Sequence, residues 1–156
     1  MIKVLFICLG NICRSPMAEA VFRDLVEKDN LSDEIIVDSA GIGPWHNGEP
    51  PHEGTRNMLD NLSISYKDMK ARQVHTEDWR DFDYMIAMDE QNIRDLRDIN
   101  DETGEVTIAK LMDFVKDPDD VNVPDPYFTG NFDYTYNLIS NGCNELLNDI
   151  KKQNNI

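Results

Sequence analysis

The stretch Cys8-Leu9-Gly10-Asn11-Ile12-Cys13-Arg14-Ser15 decides the fold of this chain. It follows an apolar segment, residues 2–7, which predicts a buried β-strand, and it precedes a helix predicted to begin at Pro16 with Ser15 as its N-cap. A loop of this length can fold back and turn its backbone N–H groups inward. With the helix N-terminus and the Arg14 side chain, those N–H groups would form a cradle for a tetrahedral oxyanion.

Cys8 is the predicted nucleophile of this loop. Its positive surroundings favour a thiolate at neutral pH, and a thiolate at the bottom of a phosphate-sized cradle predicts phosphoryl transfer through a covalent cysteine intermediate. The planar guanidinium of Arg14 can bind two phosphate oxygens at once, and Ser15 can donate its hydroxyl to the Cys8 sulfur. Most free cysteines are buried packing residues, but the nearby arginine and the strand–loop–helix context favour the catalytic interpretation.

The remaining loop residues shape the predicted cradle. Gly10 gives the turn room, and Asn11 tolerates a left-handed backbone and can lock the loop through its side chain. The phosphate-binding loop is completed by Leu9, Ile12 and Cys13. Two interpretations of Cys13 stay open: it forms a reversible disulfide with Cys8 under oxidation, which would protect the thiolate, or it only packs the loop.

The length and the cysteine usage predict a cytoplasmic chain of one domain. The 156 residues, of which 40% are apolar, fit a single domain spanning residues 1–156. No apolar run approaches the ~18 residues of a membrane span, and the N-terminus shows no secretory signal. Three cysteines, two of them close together in the loop, do not form a disulfide framework. Export without a signal peptide is compatible with the same sequence.

The charge of the chain limits its expected partners. Acidic residues outnumber basic residues by 30 to 15, which gives a formal net charge of −15. A net-acidic protein repels anions at long range, so we expect no nucleic acid and no membrane among its partners. Phosphate must then be attracted locally, by the loop itself. We expect a monomer or weak self-association.

Strand and helix patterns alternate along the rest of the chain. Short apolar segments predict strands at residues 35–37, 84–87 and within 109–115, and helical periodicity predicts helices at 52–62, at 89–96 and from Phe132 to Ile150. In the helix at 52–62 we expect Thr55, Leu59 and Leu62 to face the core. The alternation predicts a parallel sheet with helices on both faces. Ligands bind beyond the carboxyl ends of such strands, where the Cys8 loop, Ser39 and Asp89 would line one crevice.

The loop and its flanks resemble the signature of the low-molecular-weight protein tyrosine phosphatases. The similarity covers residues 4–20 and continues, in the family's order, through residues 37–41, 71–73, 82–84, 88–89 and 125–127, which is nearly the whole chain. It implies an α/β, flavodoxin-like three-layer αβα fold with a four-stranded parallel β-sheet. It also implies hydrolysis of phosphotyrosine in proteins and of small aryl phosphates, with no cofactor and no metal.

The resemblance further implies roles for individual residues. Cys8 would be the nucleophile, Arg14 the phosphate binder and Asp125 the general acid. Ser39 would steady the loop through Asn11.

Asp125 is also supported by chemistry alone. A phenolate is a poor leaving group unless it is protonated, so a carboxylic acid must reach over the cradle. Pro124 and Pro126 flank Asp125 and stiffen it. Asp117-Pro118 is a second pair of this kind, and from the residues alone the choice between the two aspartates stays open. Only the resemblance favours Asp125.

Aromatic residues are expected to form the walls of the substrate site. Trp45 lies in a loop rich in glycine and proline, residues 41–51, and in the family an aromatic residue near this position walls the crevice. Tyr127 and Phe128 would form the opposite wall, with an aryl ring held between them. The alternative is that these loop aromatics belong partly to the core. Many family members have two tyrosines at this pair, so phosphorylation of the second position is not predicted, and Tyr127 is the candidate phosphorylation site.

Three other functions compete with the phosphatase. An arsenate reductase uses the same loop with a further redox cysteine pair, which Cys143, predicted to lie in the core of the last helix, cannot supply alone. A phosphatase for protein phosphoarginine has threonine where Ile12 stands. The aliphatic side chain of Ile12 suits the aryl ring of a phosphotyrosine substrate better than the guanidinium of phosphoarginine. A flavin or phosphate binder would not need a loop thiol and an arginine together.

The sequence shows no metal-ligand set. His52-Glu53-Gly54-Thr55-Arg56 begins like a zinc-protease helix, but Arg56 stands where the second histidine is needed. The two loop cysteines without partner ligands are weak evidence for zinc. His46 and His75 are predicted to be surface residues.

Overall fold

Strands and helices alternate in the computed structural model, which describes residues 1–100 and 104–156. The strands are β1 (Ile2–Cys8), β2 (Ile35–Gly41), β3 (Tyr84–Ala87) and β4 (Thr107–Lys110). The helices are α1 (Arg14–Lys28), α2 (Glu53–Asn61), α3 (Asp78–Asp81), α4 (Glu90–Ile99), α5 (Pro126–Thr129) and α6 (Phe132–Asn154), with a 3₁₀ turn at Leu111–Phe114.

β1 is a central strand and sets the position of the Cys8 loop. Residues 4–7 are fully buried because they pack on both faces of the sheet. All pairings are parallel, and the strand order is β2-β1-β3-β4. From β1 the chain first adds β2 on one side and later β3 on the other, so the topological switch point lies between β1 and β3. Cys8, the last residue of β1, stands at that point.

Helices cover both faces of the sheet, which makes three layers. Alternate β1 side chains point to opposite faces. Val4, Phe6 and Cys8 join the apolar cluster formed with α1 and α6, whereas Leu5 and Ile7 join the cluster formed with α3 and α4. The predicted α/β fold, with a four-stranded parallel sheet among the described residues, is confirmed.

The start of α1 corrects one prediction. The helix begins at Arg14 and its N-cap is Cys13, so Ser15 is not the N-cap and Pro16 is not the first helical residue. Pro16 still lies in the first turn, where backbone N–H groups lack partners inside the helix, so its missing N–H costs no hydrogen bond. Ser15 does not cap because its hydroxyl bonds to Cys8 and Asn11 instead.

Other element boundaries also differ from the predictions. β2 extends beyond residues 35–37 to Gly41, which pairs with Cys8. β4 ends earlier than residues 109–115 imply, because the N–H of its last residue, Lys110, donates to Asp113 (2.9 Å) where the 3₁₀ turn begins. Thr55 and Leu59 are buried as predicted, but Leu62 is 37% exposed because α2 ends before it. The four-residue helices α3 and α5 are too short for a periodic pattern.

α6 has 23 residues and buries one face mainly against α1 and the 3₁₀ turn at Leu111–Phe114. The buried residues of its apolar face include Leu138, Ile139, Cys143, Leu146, Leu147 and Ile150. Cys143 lies fully in the core, as predicted. In the two described ranges, no helix has both the length and the apolarity required to cross a lipid bilayer.

Candidate active site

Residues 8–15, here called the cysteine loop, are held from outside through their carbonyl groups. Cys8 O accepts from Ile42 N (2.9 Å), Leu9 O from Gly43 N (3.0 Å), Ile12 O from His52 N (2.7 Å) and Cys13 O from Thr55 Oγ1 (3.1 Å). In a trans peptide the N–H group points in the direction opposite to the C=O group. The N–H group of the residue after each of these carbonyls therefore points away from the external donor and towards the inside of the loop. Gly41 lets β2 run this close, because a Cβ there would lie 3.0 Å from the Asn11 nitrogen.

Asn11 braces the loop from within. Its backbone is left-handed (φ 58°), which asparagine tolerates, and the residue is buried. Its Nδ2 donates to Ser15 Oγ (2.7 Å) and to Ser39 Oγ (2.9 Å), while its Oδ1 accepts from the Arg72 N–H (3.0 Å). The structure therefore contains the expected contact between Ser39 and Asn11. The Arg72 contact joins residues 61 apart in sequence and has no local signal.

Cys8 and Ser15 face each other in the cysteine loop. The Cys8 Sγ and the Ser15 Oγ lie 3.0 Å apart, and both residues are buried. Asn11 donates to the Ser15 oxygen and offers the Ser15 hydroxyl no acceptor, so a Cys8 thiolate, which can only accept, would receive the hydrogen bond from Ser15. A hydroxyl donor thus stands beside the predicted nucleophile, where the sequence suggested it.

Arg14 is almost completely buried, which requires compensating partners for its charge. Its Nη1 donates to Asp89 Oδ2 (2.6 Å) and to the Val123 carbonyl (2.9 Å), and its Nη2 donates to Asp125 Oδ2 (3.3 Å). Burial alone would lower the pKa of the Arg14 guanidinium, but the charges of Cys8, Asp125 and Asp89 outweigh burial and raise that pKa. Arg14 Nε is buried and has no partner among residues 1–100 and 104–156.

Asp89 connects the Arg14 side chain to the sheet. It directly precedes α4, close behind the end of β3, and its Oδ1 caps the helix by accepting from the Asn92 N–H (2.8 Å). Its other oxygen holds Arg14. The ends of β1 and β3 therefore meet at one place, as the parallel sheet predicts.

Asp125 shares a cavity with Cys8. Its Oδ1 accepts from the Tyr127 N–H (3.1 Å), which caps α5 and fixes the carboxyl group, and its Oδ2 faces Arg14. Asp117, the rival in the sequence, is exposed and is not among the described residues that line this cavity. The structure therefore brings Asp125, and not Asp117, to the predicted nucleophile.

The cavity has a volume of about 230 Å³ and an aromatic rim, here defined as Trp45, Tyr127 and Phe128. The rim residues are 66%, 54% and 74% exposed, respectively, which excludes the alternative that they belong to the core. Gly43 makes room for the tryptophan, because a Cβ at Gly43 would lie 2.1 Å from the Trp45 ring. The lining is completed by Cys8, Leu9, Gly10, Ile12, Cys13, His46 and Asp125.

His46 corrects a prediction, since it lines the cavity instead of lying simply on the surface. Its ring packs on Gly10, where a Cβ would lie 3.1 Å from His46 Cδ2, and its centroid is 6.3 Å from that of Tyr127. Its Nδ1 is paired with Glu49. The available signal was its place next to Trp45 in the same loop. His75 is exposed, as predicted.

Cys13 is a neutral thiol near pH 7. Burial raises the pKa of the Cys13 thiol to about 12; the charges of Cys8 and Asp125 add to this effect and Arg14 opposes it. The side chain packs beside Ile12 and also lines the cavity that contains Cys8. Both interpretations of Cys13 therefore remain open.

No three histidine, cysteine, aspartate or glutamate side chains are grouped to hold a metal ion in the part of the chain that the structure describes. His52, which opens the stretch similar to a zinc-protease helix, has a structural position instead. Its Nδ1 accepts from the Gly54 N–H (3.0 Å), which caps α2, and its ring stacks on Phe132.

The fold and the site together define a class of protein. It is an α/β protein whose parallel sheet carries a Cys-x5-Arg loop at the switch point, with an aspartate and an aromatic rim around the same cavity.

Comparison with known proteins identifies the family. The sequence model of the family described as low molecular weight phosphotyrosine protein phosphatase matches residues 3–156. The chain is 55% identical over 153 residues to the low molecular weight protein-tyrosine-phosphatase YfkJ of Bacillus subtilis, covering 98% of each chain. The chain therefore belongs to the low molecular weight phosphotyrosine protein phosphatase family, a family of hydrolytic enzymes, as the resemblance implied.

Solved structures agree with this assignment. The crystal structure of YfkJ superposes with a TM-score of 0.96 over 99% of this chain and 97% of that one, at 55% identity. The crystal structure of a Drosophila arginine phosphatase superposes with a TM-score of 0.89 over 96% and 98% of the two chains, at 34% identity. The same fold thus occurs in proteins that are named for different substrates. The fold alone does not identify the substrate, and the residues that line the cavity must distinguish between them.

Proposed function

We propose that this chain, as a single domain, hydrolyses phosphotyrosine in proteins, and small aryl phosphates, through a phosphocysteine intermediate. The observation that carries the proposal is the convergence of Cys8, Arg14 and Asp125 on one cavity with an aromatic rim. The proposed steps use only groups of this chain and water, with no metal and no cofactor.

In the first step, the Cys8 thiolate attacks phosphorus and the bond from phosphorus to the tyrosine oxygen breaks. Asp125, in its protonated form, gives its proton to that oxygen, so that a neutral phenol leaves. Arg14 and the inward N–H groups of the cysteine loop hold the remaining phosphate oxygens. Arg14 Nε, which is buried and has no partner among the described residues, supports this role, because an anion in the loop would supply an acceptor for it.

In the second step, water attacks phosphorus and the bond from phosphorus to the Cys8 sulfur breaks. The Asp125 carboxylate takes a proton from the water. The sulfur leaves as a thiolate, and the Ser15 hydroxyl, 3.0 Å away, stabilises the charge that it gains. Inorganic phosphate is released, and the cysteine loop returns to its starting state.

The lining of the cavity supports an aryl phosphate over phosphoarginine. Trp45 and Tyr127 present flat apolar faces at the mouth, and Ile12 contributes an aliphatic group deeper in the lining. A phenyl ring buries apolar surface against all of these groups. A guanidinium would leave its N–H donors facing Ile12 without partners, which costs binding energy.

The substrate class can be tested with three matched peptides that carry phosphotyrosine, phosphoserine or phosphoarginine, in the presence of a chelator. We expect turnover of the phosphotyrosine peptide to exceed that of the other two by about 10²-fold or more, because only an aryl ring fills the rim. Cys8→Ser is the control and should bind the same peptide without turning it over. A preference for phosphoarginine, or turnover by Cys8→Ser, would contradict the proposal.

The cellular setting is part of the same proposal. We infer a cytoplasmic protein, a monomer or weakly self-associating, that acts on phosphotyrosine proteins and binds neither nucleic acid nor membrane. The charge of −15 and the free, buried cysteines support this setting. Under the disulfide interpretation of Cys13, which lines the same cavity, oxidation would inactivate the enzyme reversibly.

A further inference from the structure

Glu19 is a buried carboxyl group beside the cysteine loop that the proposed mechanism does not use. It lies on α1, 6% exposed, about one helical turn after Ser15. Its Oε1 accepts from the Ser39 hydroxyl (2.6 Å), and its Oε2 is paired with Arg23, which also donates to the Val37 carbonyl (2.8 Å). A carboxylate in such a position must be compensated on both oxygens, and here both have a partner.

The hydrogen bonds between Glu19 and Cys8 have a fixed direction. An ionised Glu19 can only accept, so the Ser39 proton points to Glu19 and the Ser39 oxygen is left to accept from Asn11 (2.9 Å). The second N–H of the same Asn11 amide donates to Ser15 (2.7 Å). Asn11 leaves the Ser15 hydroxyl free to donate to the Cys8 thiolate, 3.0 Å away. The directions of these hydrogen bonds follow from an ionised Glu19 at one end of the series and a thiolate at the other.

The direction of these hydrogen bonds depends on the orientation of the Asn11 side-chain amide. If the amide were rotated by 180°, Asn11 Oδ1 would face Ser15, and the Ser15 hydroxyl would donate to that oxygen instead of to the sulfur. Two contacts prevent this rotation: the Arg72 N–H donates to Asn11 Oδ1 (3.0 Å) at one end, and Ser39 accepts from Nδ2 at the other. Ser39 remains an acceptor towards Asn11 because its own hydroxyl donates its hydrogen bond to Glu19.

We propose that Glu19 is a positioning residue for the nucleophile, and that its carboxylate keeps Ser15 a hydrogen-bond donor to Cys8 by fixing Ser39 and Asn11. Glu19 touches neither the substrate nor the reacting atoms. The Ser15 donor matters most when the sulfur leaves phosphorus and gains charge. Glu19 therefore acts on breakdown of the phosphocysteine more than on its formation, and the inference rests on the proposed function.

Glu19→Gln reverses one donor without changing the volume of the side chain. A glutamine has one acceptor oxygen, and the charged Arg23 holds it more strongly than a hydroxyl does, so the amide NH2 would face Ser39 and donate to it. In rapid mixing with p-nitrophenyl phosphate, the initial burst reports formation of the intermediate and the steady-state rate reports its breakdown. We expect kcat to fall about tenfold and the burst rate to stay within about twofold, since one charge-assisted hydrogen bond is lost.

Two further variants separate this role from a general structural effect. Glu27→Gln removes the same charge from the same helix, at an exposed residue that lines the same groove of about 440 Å³ as Glu19, and should leave both rates unchanged. In a Ser39→Ala background, Glu19→Gln should change kcat by less than about twofold, because the Ser39 hydroxyl that connects residue 19 to Asn11 is already absent. Equal losses of burst and steady-state rates, or a full tenfold loss in the Ser39→Ala background, would overturn the inference.

The test also holds if Glu19→Gln fails to fold. Ser39→Ala removes the hydrogen bond between residues 19 and 39 through its other partner, so this variant alone must lower the steady-state rate more than the burst rate. Wild-type kinetics of Ser39→Ala would overturn the inference. Failure of the wild-type protein to turn over p-nitrophenyl phosphate would contradict the proposed function instead. The two failures are therefore distinguishable.

Discussion

The cysteine loop and the aromatic rim belong to one cavity but are built in opposite ways. In the loop, Asn11, Arg14 and Ser15 are buried, and each takes part in two or more side-chain hydrogen bonds. The three rim residues expose more than half of their surface. A group that must meet a transition state within a fraction of an ångström needs the first kind of support, whereas a surface that receives different peptides can use the second.

This difference predicts different kinetic effects in the two regions. A change in the loop should act on the chemical steps and lower kcat, because it disturbs contacts made to the reacting phosphoryl group. A change in the rim should act on KM and leave kcat nearly intact. Four changes, ordered by expected effect, test the contrast.

Arg14→Lys should cause the largest loss. Lysine keeps the positive charge but cannot form the fork that reaches Asp89, the Val123 carbonyl and the phosphate together. We expect kcat/KM for p-nitrophenyl phosphate to fall about 10³-fold, the cost of a lost transition-state donor. Inhibition by inorganic phosphate should weaken as well. Arg94→Lys, at an exposed position on α4, is the matched control, and a loss as small as that of the control would refute the role of the fork.

Asp125→Asn should slow poor leaving groups far more than good ones. An amide can occupy the same place but has no proton to give to the departing oxygen. We expect about a 10²-fold loss for phenyl phosphate and a much smaller loss for p-nitrophenyl phosphate, whose leaving group needs less protonation. Asp117→Asn should behave as the wild type. Equal losses for both substrates would show that another group is the acid.

The parts of the site that could be predicted are those with local signals. A strand, a loop with Cys8 and Arg14, and a helix follow one another within the first 28 residues, and this unit sets the sheet as well as the loop. The predicted helix start was wrong because the preference of Ser15 for capping is weaker than its tertiary bonds to Cys8 and Asn11. Local preference is only a weak prior when buried polar partners compete for the same group.

The supports that could not be predicted come from distant segments. Arg72 reaches Asn11 across 61 positions, and Glu19 reaches Ser39 across 20. Neither pair leaves a periodicity or a turn signal in the sequence. His46 was misplaced for a related reason, since only the packing of its loop against Gly10 turns it towards the cavity. A single sequence shows chemistry near the nucleophile but not the residues that hold it.

Trp45→Ala tests the rim side of the contrast. Removing the ring takes away an aromatic contact of about 0.5–1.5 kcal/mol, so KM for a phosphotyrosine peptide should rise about two- to thirteenfold. Neither kcat nor inhibition by inorganic phosphate should change, because Trp45 lies on the exposed rim of the cavity and is not part of the cysteine loop. Trp45→Phe should restore most of the affinity. A fall in kcat with unchanged KM would show that the rim also shapes the chemical step.

Cys13 tests whether the interior of the loop has a use beyond packing. Peroxide oxidises the Cys8 thiolate to a sulfenic acid, and attack by the Cys13 sulfur would release water and form a disulfide that a reductant can reverse. The Cys13 thiol has a pKa of about 12, so its thiolate fraction, and with it the rate of attack, rises about tenfold for each pH unit below that value. At matched extents of inactivation, the wild type should therefore recover more activity with reductant at about pH 8.5 than at about pH 6.5. Cys13→Ser should lack this rise with pH, since it has no thiol to attack the sulfenic acid. Recovery that is the same in both proteins at both pH values would show that Cys13 is only a packing residue. Cys8 would then be the one cysteine of the loop with a chemical role.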